Sequence, residues 1–254
     1  MKIKFLFILF LGCLTFPALA QQETPKSVWI DSIYIDGDFK DWKDTLHYSF
    51  EGQGMNYAIA NDNDYLYISI QVPNQAQQLK AIYSGFSITV NLDAKEKPGP
   101  TVVFPIPDIS ALRAMNSKED YEKTKDRRQT GLNMIRAIYV NGFKTIVDGK
   151  ISMENNYGIK TAIKIDSTDA LNYEAAIRLN QLNINKDEPF ALNLRINEVT
   201  TSRFTDMGNM RGSYGYPYYG RDPYDPYGRG SSPRSGTVSK SAPGVWQILK
   251  LAKK

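Results

Sequence analysis

Apolar side chains recur at every second position in five separate stretches of this chain. Leu66, Ile68, Ile70 and Val72 alternate with Tyr65, Tyr67, Ser69 and Gln71, and Phe86, Ile88, Val90 and Leu92 repeat the pattern. So do residues 157–165, 173–179 and 190–196. Side chains two apart share one face of a strand, so each stretch offers an apolar face to a core and a polar face to water. A parallel sheet, covered on both faces, reads instead as continuous apolar runs. The pattern predicts an all-β fold, an antiparallel β-sandwich of jelly-roll or immunoglobulin-like kind.

Turn signals punctuate the strands at Asp36-Gly37, Asn61-Asp62-Asn63-Asp64, Asn141-Gly142 and Asp148-Gly149. Asn141-Gly142 is the sharpest, because both central residues of a type I′ turn need positive φ. It predicts a hairpin of residues 133–140 and 143–148. Ser117-Lys118-Glu119-Asp120 caps one short helix running to about Gln129, with Gly131 ending it. That helix is charged nearly all round, so it belongs on the surface. Pro98 to Pro107 holds four prolines and suits an edge or a loop, since proline cannot donate to a ladder.

Residues 1–20 read as a secretory signal, with Lys2 and Lys4, an apolar Phe5 to Leu14, and Ala18-Leu19-Ala20 before a cut at Ala20/Gln21. The apolar run is shorter than the roughly 20 residues that span a bilayer, and no later stretch is a transmembrane candidate. Leu11-Gly12-Cys13 is the competing reading, a lipid-attachment site, but Phe10 and Leu11 are poor residues ahead of such a cysteine. The expected location is periplasmic, outer-membrane-associated or secreted. Cys13 is the sole cysteine, so cleavage leaves no thiol for a disulfide, a nucleophile or a metal site. Losing Lys2 and Lys4 also brings the 31 basic residues within two of the 27 acidic ones. A balance so near neutral argues against nucleic acid or anionic lipid as a partner.

After a linker at 21–26, residues 27–252 read as a single domain with two insertions, 98–131 (partly helical) and 207–243. The second is rich in Gly, Tyr, Pro, Ser and Arg and nearly free of aliphatic residues. Such a segment buries too little apolar surface to offset its ordering entropy, so it reads as a long disordered loop. The plausible last strand, Val245 to Leu251, follows it.

Four motifs in order carry a family resemblance. Ile33-Tyr34-Ile35-Asp36-Gly37-Asp38-Phe39-Lys40-Asp41-Trp42 fits I-x-I-D-G-x-x-x-D-W, and Tyr65 to Val72 fits x-L-Y-I-x-I-x-V. Tyr173-Glu174-Ala175-Ala176-Ile177-Arg178-Leu179-Asn180-Gln181-Leu182 fits Y-E-A-A-I-P-L-x-x-L, and Trp246, Leu249 and Leu251 fit W-x-x-L-x-L. The chain thereby resembles the carbohydrate-binding module family 9-like domains, within the wider DOMON-like group of β-sandwiches. The resemblance covers most of 27–206 and 244–252, and Arg178 stands where the family often has proline. It implies a sandwich and sugar recognition through paired aromatics on loops, which no motif places here.

Single residues sharpen the functional reading. Trp42 follows a turn that directs it under the first strand, so it reads as a buried indole sealing one end of the sandwich. Trp29 shares a face with Ile33 and Ile35, and Trp246 sits in a strand apolar on both faces, so both read as core. Tyr214, Tyr216, Tyr218, Tyr219, Tyr224 and Tyr227 interleave with Arg211, Arg221, Arg229 and Arg234. Tyrosine supplies an apolar face with a polar tip, and arginine stacks and forks onto carboxylates, so these tyrosines are the candidate ligand-binding residues. A soluble spacer is the alternative. Asp36, Asp38, Asp41, Asp62 and Asp64 have the oxygen chemistry of calcium but no loop signature, and turn-forming aspartates are commonplace. His47 is the only histidine. Some relatives of the resembled group bind haem through His and Met, and Met55 is near, yet a lone histidine reads as structural. Glu174 would need a second carboxylate at the right separation for glycoside chemistry. No nucleophilic triad, metal triad or phosphate loop is visible, so no catalytic residue, metal or cofactor is assigned. The expected function is an exported non-catalytic module binding carbohydrate through end loops. The alternative is a structural or protein-partner-binding component of the cell envelope.

Overall fold

The computed structural model describes residues 24–42, 48–108, 127–198 and 244–254. The leader, His47, residues 117–126 of the expected helix and the six candidate tyrosines lie outside them. The described chain is a sandwich of two sheets. The first holds β1 (Val28–Trp29), β2 (Tyr48–Phe50), β3 (Met55–Asn61), β4 (Tyr65–Val72), β9 (Ile159–Ile165) and β10 (Leu171–Arg178). Its order is β1-β3-β4-β10-β9, with β2 also on β3. The second holds β5 (Phe86–Asn91), β6 (Thr101–Pro107), β7 (Ile135–Asn141), β8 (Gly149–Ser152), β11 (Phe190–Ile196) and β12 (Val245–Leu249), in the order β12-β11-β5-β6-β7-β8. Pairing is antiparallel except for the short β1–β3 contact.

The alternating residues meet where the pattern puts them. Leu66, Ile68, Ile70 and Val72 join Tyr173, Ala175 and Ile177, and face Phe86, Ile88, Val90, Leu192 and Leu194 across the core. Tyr173 stacks on Phe86 at 4.8 Å and on Phe104 at 5.8 Å between ring centroids, bridging the sheets.

Several expectations give way to tertiary context. The proline-rich stretch is a central strand, because β6 pairs with both β5 and β7. Pro105 falls where the register to β7 shifts between Val103 and Ile106, so the missing N–H is not needed in that ladder. The tight hairpin at Asn141-Gly142 does not form. β7 pairs with β8, and residues 142–148 make a wider loop that buries Phe143 and Ile146. Asp148 closes that loop, accepting from Asn141 Nδ2 and Gly142 N at 2.7 Å each. Gly131 lies inside the helix α2 (Arg127–Asn133) rather than ending it.

A further helix, α1 (Gln75–Ser84), was not expected. Asn74 caps it by accepting from Ala76 N and Gln77 N, and Gly85, at φ +80, ends it. These are ordinary helix signals, obscured by a run of glutamines with little apolar period. Finally, β12 is an edge strand. Trp246 is half-buried on its outer face beside the exposed Ile248, not in the core.

Candidate functional site

The outer face of the first sheet is also covered, which the alternating pattern did not predict. Ala58, Ala60 and Ala176 are small enough to leave a floor on that face. Residues 28–42 lie over it, and Ile33, Trp42 and Tyr67 complete a second buried cluster. Trp42 is therefore buried as expected, but on a sheet's outer face rather than at an end of the sandwich. Trp29 is half-buried outside both clusters, with its indole donating to Asp31 at 3.3 Å. It lies on β1, at the edge of the sheet.

Glu174 on β10 holds this cover down. One carboxylate oxygen accepts from Asp36 N at 2.9 Å and Gly37 N at 2.7 Å, and the other accepts from Trp42 Nε1 at 2.7 Å. Two of the recognisable sequence motifs are thus halves of one clasp. Gly37 is required at its turn, since φ is +82 and a Cβ would lie 2.8 Å from that of Lys164. Burial raises the Glu174 pKa from its ordinary value, against the pull of the three donors. With both oxygens engaged and the side chain fully buried, Glu174 has no free oxygen to offer a substrate.

The aspartates of the opening turns are likewise spoken for. Asp36 accepts from Asp38 N, Asp38 pairs with Lys40, and Asp41 accepts from Tyr34 N. Asp62 takes Asp64 N, Tyr65 N and the Tyr67 hydroxyl at 2.7 Å each. Among the described residues no group of three acidic, histidine or cysteine side chains is placed to hold a metal. Met55, the sulfur considered alongside His47, is buried in the main core.

At the end of the sandwich formed by the β3–β4 turn and the β10–β11 connection lies an open cleft of about 700 Å³. Its first wall is Asn63 and Asp64. Its second is Arg178 and the short helix α3 (Leu179–Leu182), followed by Asn183, Ile184, Asn185 and Lys186. Leu179 N donates to Asp64 O at 2.8 Å, tying the two walls together. Asn183 ends α3 at φ +54, a conformation asparagine tolerates better than most residues. Arg178 lies over the Tyr65 ring at 5.5 Å from its centroid, and Lys160 lies over the same ring at 5.8 Å. Gly158, at φ +73, makes room for the Arg178 side chain, and the exposed Tyr157 precedes it.

Four carboxamides, two cations and one carboxylate therefore line a single opening: Asn63, Asn180, Asn183, Asn185, Arg178, Lys186 and Asp64. A carboxamide carries a donor and an acceptor together, the arrangement that vicinal hydroxyls match. Asn185 Oδ1 already accepts from Asp187 N at 3.1 Å and Asn183 Nδ2 donates to Gln181 O at 3.5 Å, so Asn63 and Asn180 offer both groups. Sequence reasoning marked Asn63 and Asp64 as turn residues, Arg178 as a departure from the family pattern and Asn180 as part of the same motif, none of them as a ligand contact. Asparagine spacing within 180–185 was the available signal, and it reads equally well as loop composition. The six candidate tyrosines belong to a stretch that leaves after Glu198 and returns at Gly244. β11 and β12 are antiparallel with Leu194 opposite Val245, so these roots lie at the end away from the cleft.

No protein-family model and no curated protein matches the chain. Among solved structures it is similar to a carbohydrate binding module family 9 (CBM9) from Caldicellulosiruptor kristjanssonii in complex with glucose. That likeness has 15% identity and a TM-score of 0.32, covering 70% of this chain and 81% of that one.

Proposed function

We propose that this protein is an exported, single-domain, non-catalytic module that binds carbohydrate through the polar cleft at one end of its sandwich. The observation that carries the reading is the set of carboxamides at Asn63, Asn180, Asn183 and Asn185 around one opening. Sugars offer adjacent hydroxyls, each both donor and acceptor, and carboxamides answer both at once. The cleft is open and polar, which suits a ligand that keeps part of its hydration. The engaged Glu174 supports a binding role over glycoside chemistry, because glycosidases use a free pair of carboxyl groups.

Affinity electrophoresis through gels holding soluble plant, bacterial and host polysaccharides tests the reading. Retardation by at least one glycan, lost in Asn180→Ala/Asn185→Ala, is the expected result. Migration unaffected by every glycan, with the fold intact, overturns it.

A second reading rests on the described residues that flank the tyrosine-rich stretch. Glu198 and Gly244 lie at the end away from the cleft, and in this reading Tyr214, Tyr216, Tyr218, Tyr219, Tyr224 and Tyr227 serve a separate contact with an envelope protein. A stoichiometric partner recovered from envelope extracts, and lost on deleting residues 207–243, supports that reading. Glycan retardation that weakens when these six become alanine places them with the sugar instead.

A further inference from the structure

We infer that the cleft selects an anionic saccharide, with a uronate carboxylate seated on Arg178 and Lys186; this rests on the carbohydrate reading above. The argument is one of unequal charge. Around the opening the acidic groups are already used by the chain: Asp62 holds its own turn and the Tyr67 hydroxyl, and Asp187 pairs with Lys253. Glu188 lines a smaller neighbouring hollow with Leu92 and Phe190. Asp64 alone remains as an acid in the cleft.

The cations are in the opposite condition. Among the described residues neither Arg178, Lys186 nor Lys160 meets a carboxylate. Arg178 and Lys160 also share one ring, so two like charges are held near each other without a counter-ion. An incoming anion relieves that repulsion, which a neutral sugar cannot do. Arg178 Cζ lies 5.5 Å from the Tyr65 ring centroid, and a guanidinium without a carboxylate partner carries the fork that matches a planar carboxylate in two parallel bonds. Lys186 adds a point charge on the same wall of the cleft. The carboxamides then take the ring hydroxyls. A uronate unites both chemistries in one residue.

Calorimetry on the purified protein decides the matter, using oligosaccharides from three polyuronates, their carboxyl-reduced counterparts of equal length, and a sulfated oligosaccharide. At low salt one polyuronate should bind about tenfold more tightly than its reduced form, the scale of one charge-assisted contact. Added salt should narrow that gap. Arg178→Gln and Lys186→Gln should each remove most of the preference, read as the ratio of the affinities for the acidic and reduced forms. Both side chains are on the surface, so the variants should fold as the wild type does. Equal affinity for acidic and reduced forms overturns the inference but leaves the carbohydrate reading standing. So does a preference that survives both substitutions, or binding of the sulfated sugar alone. Failure of every sugar to bind overturns both.

Discussion

Glu174 and Arg178 stand on the same face of β10, four residues and so about 13 Å apart, in opposite circumstances. Glu174 is fully buried and every donor it meets belongs to its own chain. Arg178 is exposed, rests on Tyr65 and meets no carboxylate among the described residues. One strand thus carries a closed clasp at its middle and an open cleft at its end. The difference teaches where to look for function. A polar group satisfied from within holds the fold, while polar groups gathered around an opening and left to solvent are available to a ligand.

Substitutions at the two places should separate stability from binding. Glu174→Ala should cost most, about 3–5 kcal/mol, because it strands the buried Gly37 N–H and Trp42 indole and the part-buried Asp36 N–H as well as leaving a void. Urea unfolding measures it, and a loss under 1 kcal/mol, well below that scale, would show that the clasp is ornamental. Gly37→Ala comes next, at about 1–3 kcal/mol, since alanine is strained at φ +82 and its methyl would crowd Lys164. Glu174 should also leave a pH signature of smaller size. Its pKa is raised on folding, so the folded state holds the proton more tightly than the unfolded chain does. The stability that Glu174 contributes should therefore be greatest below the ordinary glutamate range and be lost as pH rises through the raised pKa, while Asp38, Asp166, Asp169 and Asp187, whose pKa values are lowered, act in the opposite sense. The wild type should accordingly lose unfolding midpoint relative to Glu174→Gln as pH rises from acid to neutral.

The cleft should behave the other way. Asn180→Ala should change stability by no more than about 0.5 kcal/mol while weakening glycan retention. A large loss of stability there would erase the contrast between the two sites. The smallest effect is expected at Ser69, which faces Glu174 across the β4–β10 ladder and whose buried hydroxyl has no partner. Ser69→Ala should be neutral to slightly stabilising, within about 0.5 kcal/mol and with no change in glycan retention, because it removes an unsatisfied group without removing a bond.

Much of the scaffold was legible in the chain alone. Alternation at residues 65–72, 86–92 and 190–196 is a local property, and it named both the strand class and the inward faces. The Asp36-Gly37 turn was legible for the same reason, since it depends on neighbours in sequence, whereas the face on which Trp42 is buried is set by Ala58, Ala60, Ala176 and Glu174. The central place of β6 was not. Four prolines argue against a ladder, and only the register shift at Pro105 shows how the strand is accommodated. The tight Asn141-Gly142 hairpin failed because Phe143 and Ile146 gain more by entering the core than by extending a strand. Trp246 was misplaced because a strand apolar on both faces looks the same whether it ends in the middle of a sheet or at its edge.

The sequence by itself determined the sandwich, its period-two faces and the two motifs around Gly37 and Glu174. Only the tertiary structure decided that those motifs grip each other, 137 residues apart, and that asparagines from two connections surround one cleft with Arg178 and Lys186. The physical reason is range. Backbone geometry and alternation act over a few residues and leave a mark at each position. A clasp or a cleft is made by groups distant in the chain, and no residue in it carries a local sign of the partner it will meet.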